Sequence, residues 1–184
     1  QFCAAASALR RFMVFFKKDG RRTETVRAAK GRQMRRANRE ITEFSELLAL
    51  LDKCDTIRLG LVDEGEAYIV PVSSGYETLG GKIAVYFHGA IAGRKFELLK
   101  KCPRVCVEAD VCNGFTDTGS GGVTCDFESL IGWGNAELLD GDEAEKGLRL
   151  LMENCGMGAY VCGADAMPIT AVFRSSVRQY ERMS

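Results

Sequence analysis

Residues 56–73 restrict the fold more than any other stretch of the chain. Ile57, Leu59 and Leu61 alternate with Arg58 and Gly60, the two-residue period of a half-buried strand. Asp63-Glu64-Gly65 supplies turn chemistry, and 67–73 reads as the returning strand, so the pair predicts a β-hairpin. A hairpin commits its sheet to antiparallel neighbours. Further strands are predicted at 82–88, apolar enough to be buried on both faces, and at 105–111. Residues 124–139 read as a long strand or a bent pair, with Gly132 and Gly134 marking a bulge or a close backbone approach, and 169–177 as a last strand.

Three helices complete the pattern. Thr42 caps the first, which runs to Cys54 with Phe44, Leu47, Leu48 and Leu51 as its apolar stripe. The second spans 93–101 and stops before Pro103. The third starts from a capping Asp142, with Glu145 completing a capping-box pattern, and ends at Asn154 before Gly156. Residues 74–81 and the Gly-rich 112–123 read as loops, the latter as the mobile one. About six strands and three short helices, with no regular βαβ alternation, predict a mainly β fold, an antiparallel barrel with peripheral helices.

The length of 184 residues and a hydrophobic content of 46% suit one domain with a real core. No apolar run approaches the roughly 18 residues of a membrane-crossing helix. The net charge of zero conceals an asymmetry. Residues 1–39 hold 12 Lys/Arg against 2 Asp/Glu, and the remainder hold 13 against 23. Residues 1–33 are therefore read as a basic extension before a domain at 34–184, which Met34 opens. Such an arm suits a solvated tail or translated sequence ahead of the natural start, with a targeting peptide as another reading; binding to nucleic acid or an anionic surface ranks well behind. The 8 cysteines form no CxxC pair, and with a single histidine a mixed zinc site has little to draw on, so no metal is expected. Reduced thiols in the cytoplasm are the expectation.

Chemistry concentrates at Tyr86-Phe87-His88-Gly89-Ala90-Ile91-Ala92-Gly93-Arg94-Lys95. A buried strand leaves through an aromatic pair and the sole histidine, small residues let another molecule approach the backbone, and two cations open a helix. Cations are ordinarily disfavoured at a helix N-terminus, so their presence there suits a bound anion, most simply phosphate; solvated side chains are the alternative. Trp133, between Gly132 and Gly134, suits an aromatic wall for a planar ligand and equally a core or interface position. No GxGxxG, P-loop or GxSxG pattern occurs.

These stretches, in order, resemble a known family. Tyr68-Ile69-Val70-Pro71-Val72-Ser73-Ser74-Gly75, then 86–95, then Pro103-Arg104-Val105-Cys106-Val107-Glu108, then Glu128-Ser129-Leu130-Ile131-Gly132-Trp133-Gly134, are similar to the pyridoxamine 5′-phosphate oxidase-like flavoproteins, nearest the nitroimidazole-resistance reductase branch. The resemblance covers about 34–182. It implies an FMN-binding split barrel, usually a homodimer with FMN at the interface. Carried over by motif, Gly93, Arg94 and Lys95 would hold the FMN phosphate. Val70, Pro71, Val72 and Ser73 would line the isoalloxazine through backbone groups, and Phe87, His88, Gly89 and Ala90 would flank the ring and ribityl chain. Ser129, Ile131 and Trp133 would approach from the partner subunit.

The chain departs from the oxidase proper at both ends of the Tyr68 motif, at Ser129 and at its C-terminus, so oxidation of the vitamin phosphate is not expected. The function implied is an FMN-dependent oxidoreductase. It would pass electrons from a reduced donor such as NAD(P)H to a small acceptor of the nitroaromatic kind, with His88 as catalytic proton donor. A non-catalytic flavin or haem carrier on the same fold is the alternative.

Overall fold

The computed structural model describes residue 41, residues 43–160 and residues 166–183, of which 178–183 are described by their backbone. The basic extension 1–33 and the expected cap Thr42 lie outside the described residues. Among those residues the order is α1 (Phe44–Asp52), β1 (Thr56–Asp63), β2 (Glu66–Leu79), β3 (Lys82–Ala90), α2 (Arg94–Lys101), β4 (Arg104–Asp117), β5 (Val123–Leu139), α3 (Gly141–Asn154) and β6 (Thr170–Met183). The strands close into a barrel in the order β1-β2-β3-β6-β5-β4, every pairing antiparallel, as the hairpin pattern predicts.

Alternation builds the core. Ile57, Leu59 and Leu61 point into the barrel with Val105, Val107, Leu130 and Phe173. β3 is covered on both faces, from Ile83 through Phe87. The apolar stripes of α1 (Leu47, Leu50, Leu51) and α2 (Leu98, Leu99) join the same core. α1 leads into the start of β1, whereas Arg94 at the head of α2 reaches Asp63 at its end, so the two helices close opposite ends of the barrel. α3 packs outside on β2, β3 and β6. No described helix is long and apolar enough to cross a membrane.

Several expected boundaries move. β2 continues through 74–79, because those residues find ladder partners in β3. Most of the expected loop at 112–123 is strand: β4 runs to Asp117 and β5 resumes at Val123. α3 is capped by Asp140 rather than Asp142, with no side-chain cap bond, which removes the capping box expected at Glu145. Its other end follows the expected glycine. Gly156 has φ 72°, Met157 N–H donates to Met152 C=O at 2.7 Å, and Gly156 N–H donates to Glu153 C=O at 3.1 Å, the two bonds of a Schellman motif. The β5–β6 register shifts between Trp133 and Gly134, where a bulge was expected. Cys102 is disulfide-bonded, against the expectation of reduced thiols throughout.

Candidate functional site

Among the described residues the barrel wall is split between β2 and β3. β2 changes partner midway: residues 66–73 pair with β1 and residues 74–79 with β3. β3 runs on from His88 to Ala90 against β6. Within the described ladders, residues 66–73 and 88–90 therefore have no strand partner on the sides that face each other. Open N–H and C=O groups on such edges require partners of their own.

The split leads directly into the N-terminus of α2. Gly93, at φ 101°, is the N-cap and has no side chain with which to satisfy the first-turn amides. Lys95 folds back so that its Nζ donates to the His88 carbonyl at 2.9 Å. It crosses Gly89 so closely that a Cβ there would lie 2.6 Å from Nζ. Burial lowers the Lys95 pKa. Arg94 is held outward: its Nε and Nη2 donate to Asp63 Oδ2 at 2.8 and 2.7 Å, and its guanidinium lies 4.6 Å from the Tyr68 ring centre. Asp63 and Tyr68 stand out in the sequence as a turn residue and as part of the family motif, but nothing local marks them as the residues that place Arg94. They lie 26 or more positions away, and only the meeting of β1, β2 and α2 brings them there.

His88 stands where the two features meet. Its Nδ1 is buried and has no hydrogen-bond partner among the described residues. Burial first, and the Lys95 charge second, push its pKa below the ordinary histidine value, which favours a neutral ring at neutral pH. An orphaned ring nitrogen, two open strand edges, an uncapped helix and a partly buried ammonium fit a planar, hydrogen-bonding group ending in a phosphate.

The other expected residues divide by strand parity. Val72 and Val70 turn their side chains to the core, and Phe87 is fully buried, stacked on Phe173 at 5.4 Å. They can offer a ligand only backbone. Pro71 and Ser73 point outward and are exposed, as are Ala90 and Gly93, whereas Gly89 is half-buried beneath Lys95. Ser129, Ile131 and Trp133 are half-buried on the outer face. The register draws one row across four strands, Ile69–Gly60–Cys106–Trp133, and a second, Pro71–Arg58–Glu108–Ile131. Three strand spacings separate the ends of each row, about 14 Å. Within one chain, Ile131 and Trp133 are thus not brought together with the split edge.

The chain matches the sequence pattern of the family described as Pyridoxamine 5′-phosphate oxidase over residues 43–181. No curated protein sequence matches it. Among solved structures it is similar to a proposed 5-nitroimidazole antibiotic resistance protein from Bacteroides thetaiotaomicron, with a TM-score of 0.70 and 21% identity over 78% of this chain and 84% of that one. It is also similar to a flavocytochrome from Azotobacter vinelandii, with a TM-score of 0.70 and 22% identity over 85% and 73%. A third is an FAD- and haem-binding protein from Mycobacterium smegmatis, with a TM-score of 0.69 and 16% identity over 79% and 72%. At these identities the likeness establishes the shared split-barrel fold.

Proposed function

The chain belongs to the pyridoxamine 5′-phosphate oxidase family, and from that premise we propose that it is an FMN-dependent oxidoreductase acting from a reduced donor such as NAD(P)H on a small organic acceptor of the nitroaromatic class. The observation that carries this reading is the junction at 88–95, where an open strand edge meets an uncapped helix N-terminus bearing Lys95. Two solved neighbours described as binding flavin or haem support a redox cofactor on this fold, and the first neighbour supports the nitroimidazole branch.

Bound flavin supplies reversible two-electron chemistry. The chain's part is to hold and tune it. Lys95, the α2 amides and Arg94 bind the phosphate, with Arg94 shared between that anion and Asp63. Backbone groups of 70–73 and 88–90 would hydrogen-bond the ring edge, where the N–H groups near Val72 and Ser73 would stabilise negative charge. His88, neutral at rest, holds a proton at one ring nitrogen and leaves the other to accept a bond; when charged it donates to the acceptor. Ser129, Ile131 and Trp133 reach the site from a second copy, so the functional unit is a homodimer.

The test is an absorption spectrum of the purified protein and a titration with FMN followed by quenching of flavin fluorescence. The expected protein is yellow or takes up FMN stoichiometrically, and Lys95→Met weakens binding about 10- to 100-fold, the worth of one charge-assisted hydrogen bond. A protein that refuses FMN, or a Lys95→Met variant that binds it unchanged, overturns the assignment.

Two observations favour a second reading, a carrier of flavin or haem without turnover: one neighbour is described as a flavocytochrome and another as binding FAD and haem, and His88 keeps a buried nitrogen with no partner among the described residues. A Soret band on haem titration, without oxidation of reduced nicotinamide, selects it.

A further inference from the structure

The β4–β5 hairpin carries chemistry that the flavin site does not use. β4 last meets β1 at Glu108, and β5 last meets β6 at Ser129. Residues 111–128 therefore pair only with one another within the described ladders and stand out from the barrel as an arm. A bulge lies between Cys112 and Gly114, which has φ 133°. Before it Cys112 faces Phe127, and beyond it Phe115 faces Cys125. Residues two apart on a strand share a face, so Cys125 joins Phe127 and becomes the diagonal neighbour of Cys112. The two sulfurs lie 3.4 Å apart and are not bonded to each other. Cys112 is exposed and Cys125 half-buried.

We propose that Cys112 and Cys125 form a reversible dithiol–disulfide couple on this arm, oxidised by small-molecule disulfides. A disulfide needs about 2.05 Å between sulfurs, so closure asks for a shift of little over 1 Å. The site lies on a two-stranded arm with no third strand to resist that shift.

The exchange balances in two steps. The Cys112 thiolate attacks one sulfur of a disulfide RSSR, the Cys112–SR bond forms, and RS⁻ leaves to take up the proton that Cys112 released. The Cys125 thiolate then attacks the Cys112 sulfur; the Cys112–Cys125 bond forms and the second RS⁻ leaves with the proton from Cys125. RSSR is reduced to two RSH, and the dithiol is oxidised by two electrons. Exposure assigns first attack to Cys112. The hydrogen bond with Cys112, reinforced by burial and Asp126, raises the Cys125 pKa and suits Cys125 to the resolving role.

The oxidised arm is a closed ring across a Gly-rich tip, residues 118–122, locked in one register. Oxidation therefore changes the dynamics of the arm and leaves the barrel core as it is.

The experiment equilibrates the full-length protein with oxidised and reduced glutathione, quenches with acid, alkylates and maps peptides by mass spectrometry without reduction. The expected result is a Cys112–Cys125 linked peptide that reverts on adding reduced glutathione, together with slower proteolysis of the tip. In Cys125→Ser, the Cys112–glutathione adduct should accumulate instead. The proposal fails if both thiols remain alkylatable under excess oxidised glutathione. It also fails if the adduct on Cys112 persists equally with Cys125 present, or if the linked peptide joins two chains. Cys112→Ser separates a folding defect from lost chemistry, because circular dichroism should be unchanged while the linked peptide disappears.

Discussion

His88 is the only histidine in the chain, so its ring reports on the candidate site without assignment. Burial and the neighbouring Lys95 charge both disfavour imidazolium, in that order of size. By linkage, the unfolded chain takes up this proton near pH 6.5 while the folded chain still refuses it. The stability His88 contributes is therefore fully present above about pH 6.5 and is lost as pH falls through the lower folded value. An NMR titration should show a single histidine resonance with a midpoint below 6.5. Lys95→Met, which keeps the aliphatic stem and removes the charge, should move that midpoint up without reaching 6.5, because burial remains the larger cause. A midpoint at or above 6.5 in the unmodified protein would contradict the buried setting. This residue scale was partly legible in the sequence. Cations at a helix N-terminus stand out by composition, but the Asp63 carboxylate that already holds Arg94 does not, because its contact is made across the fold. Strand alternation could have separated outward Pro71 and Ser73 from inward Val70 and Val72; the resemblance grouped all four.

At the scale of elements, α3 is fastened to the barrel by missing side chains. A Cβ on Gly75 of β2 would lie 2.4 Å from the Leu150 backbone carbon, and one on Gly147 of α3 would lie 2.8 Å from the Tyr86 ring. Around that contact, Lys146 pairs with Glu77 at 2.8 Å, and Arg174 of β6 pairs with Glu143 at 2.7 Å. The polar contacts are partly exposed and add little beyond orientation. The close approach cannot relax so easily, because backbone meets backbone at Gly75. Gly75→Ala should therefore destabilise the fold by about 1–3 kcal/mol, the usual cost of overpacking, read as a lower urea midpoint at unchanged slope. Gly80→Ala is no neutral control, since φ is 55° there even though nothing crowds it. Gly75 also explains why residues 74–81 read as loop. A glycine in a strand weakens its sequence signal, and the reason for it here, the backbone of Leu150 arriving from 75 positions further on, is invisible locally. Gly114 misled in the same way: it serves a bulge inside a strand pair rather than a turn.

At the scale of the whole molecule, the barrel was legible because the 56–73 hairpin and the strand count constrain topology strongly, whereas assembly leaves no periodic trace. The structure offers a physical argument for it. Val62 and Ile69 share the outer face of β1 and β2, and each is 66% exposed. On the same face lie Pro71 and, two strands further, Ile131 and Trp133. In an isologous pair, each residue is buried twice. Recovering the exposed area of two such aliphatic side chains contributes about 1–2 kcal/mol apiece, doubled by symmetry. The same two-fold axis would carry one copy's Trp133 to the other's split edge, which the 14 Å width of the sheet prevents within a chain. On the proposed reading, dimerisation and FMN binding would thereby be coupled. Sedimentation should find a dimer, and Ile69→Lys, which places a charge at the centre of the face, should shift it to monomer and weaken FMN binding at least tenfold, while circular dichroism keeps the β signature. A monomeric Ile69→Lys protein that binds FMN with undiminished affinity would show that each barrel completes its own site, and would remove Ser129, Ile131 and Trp133 from it.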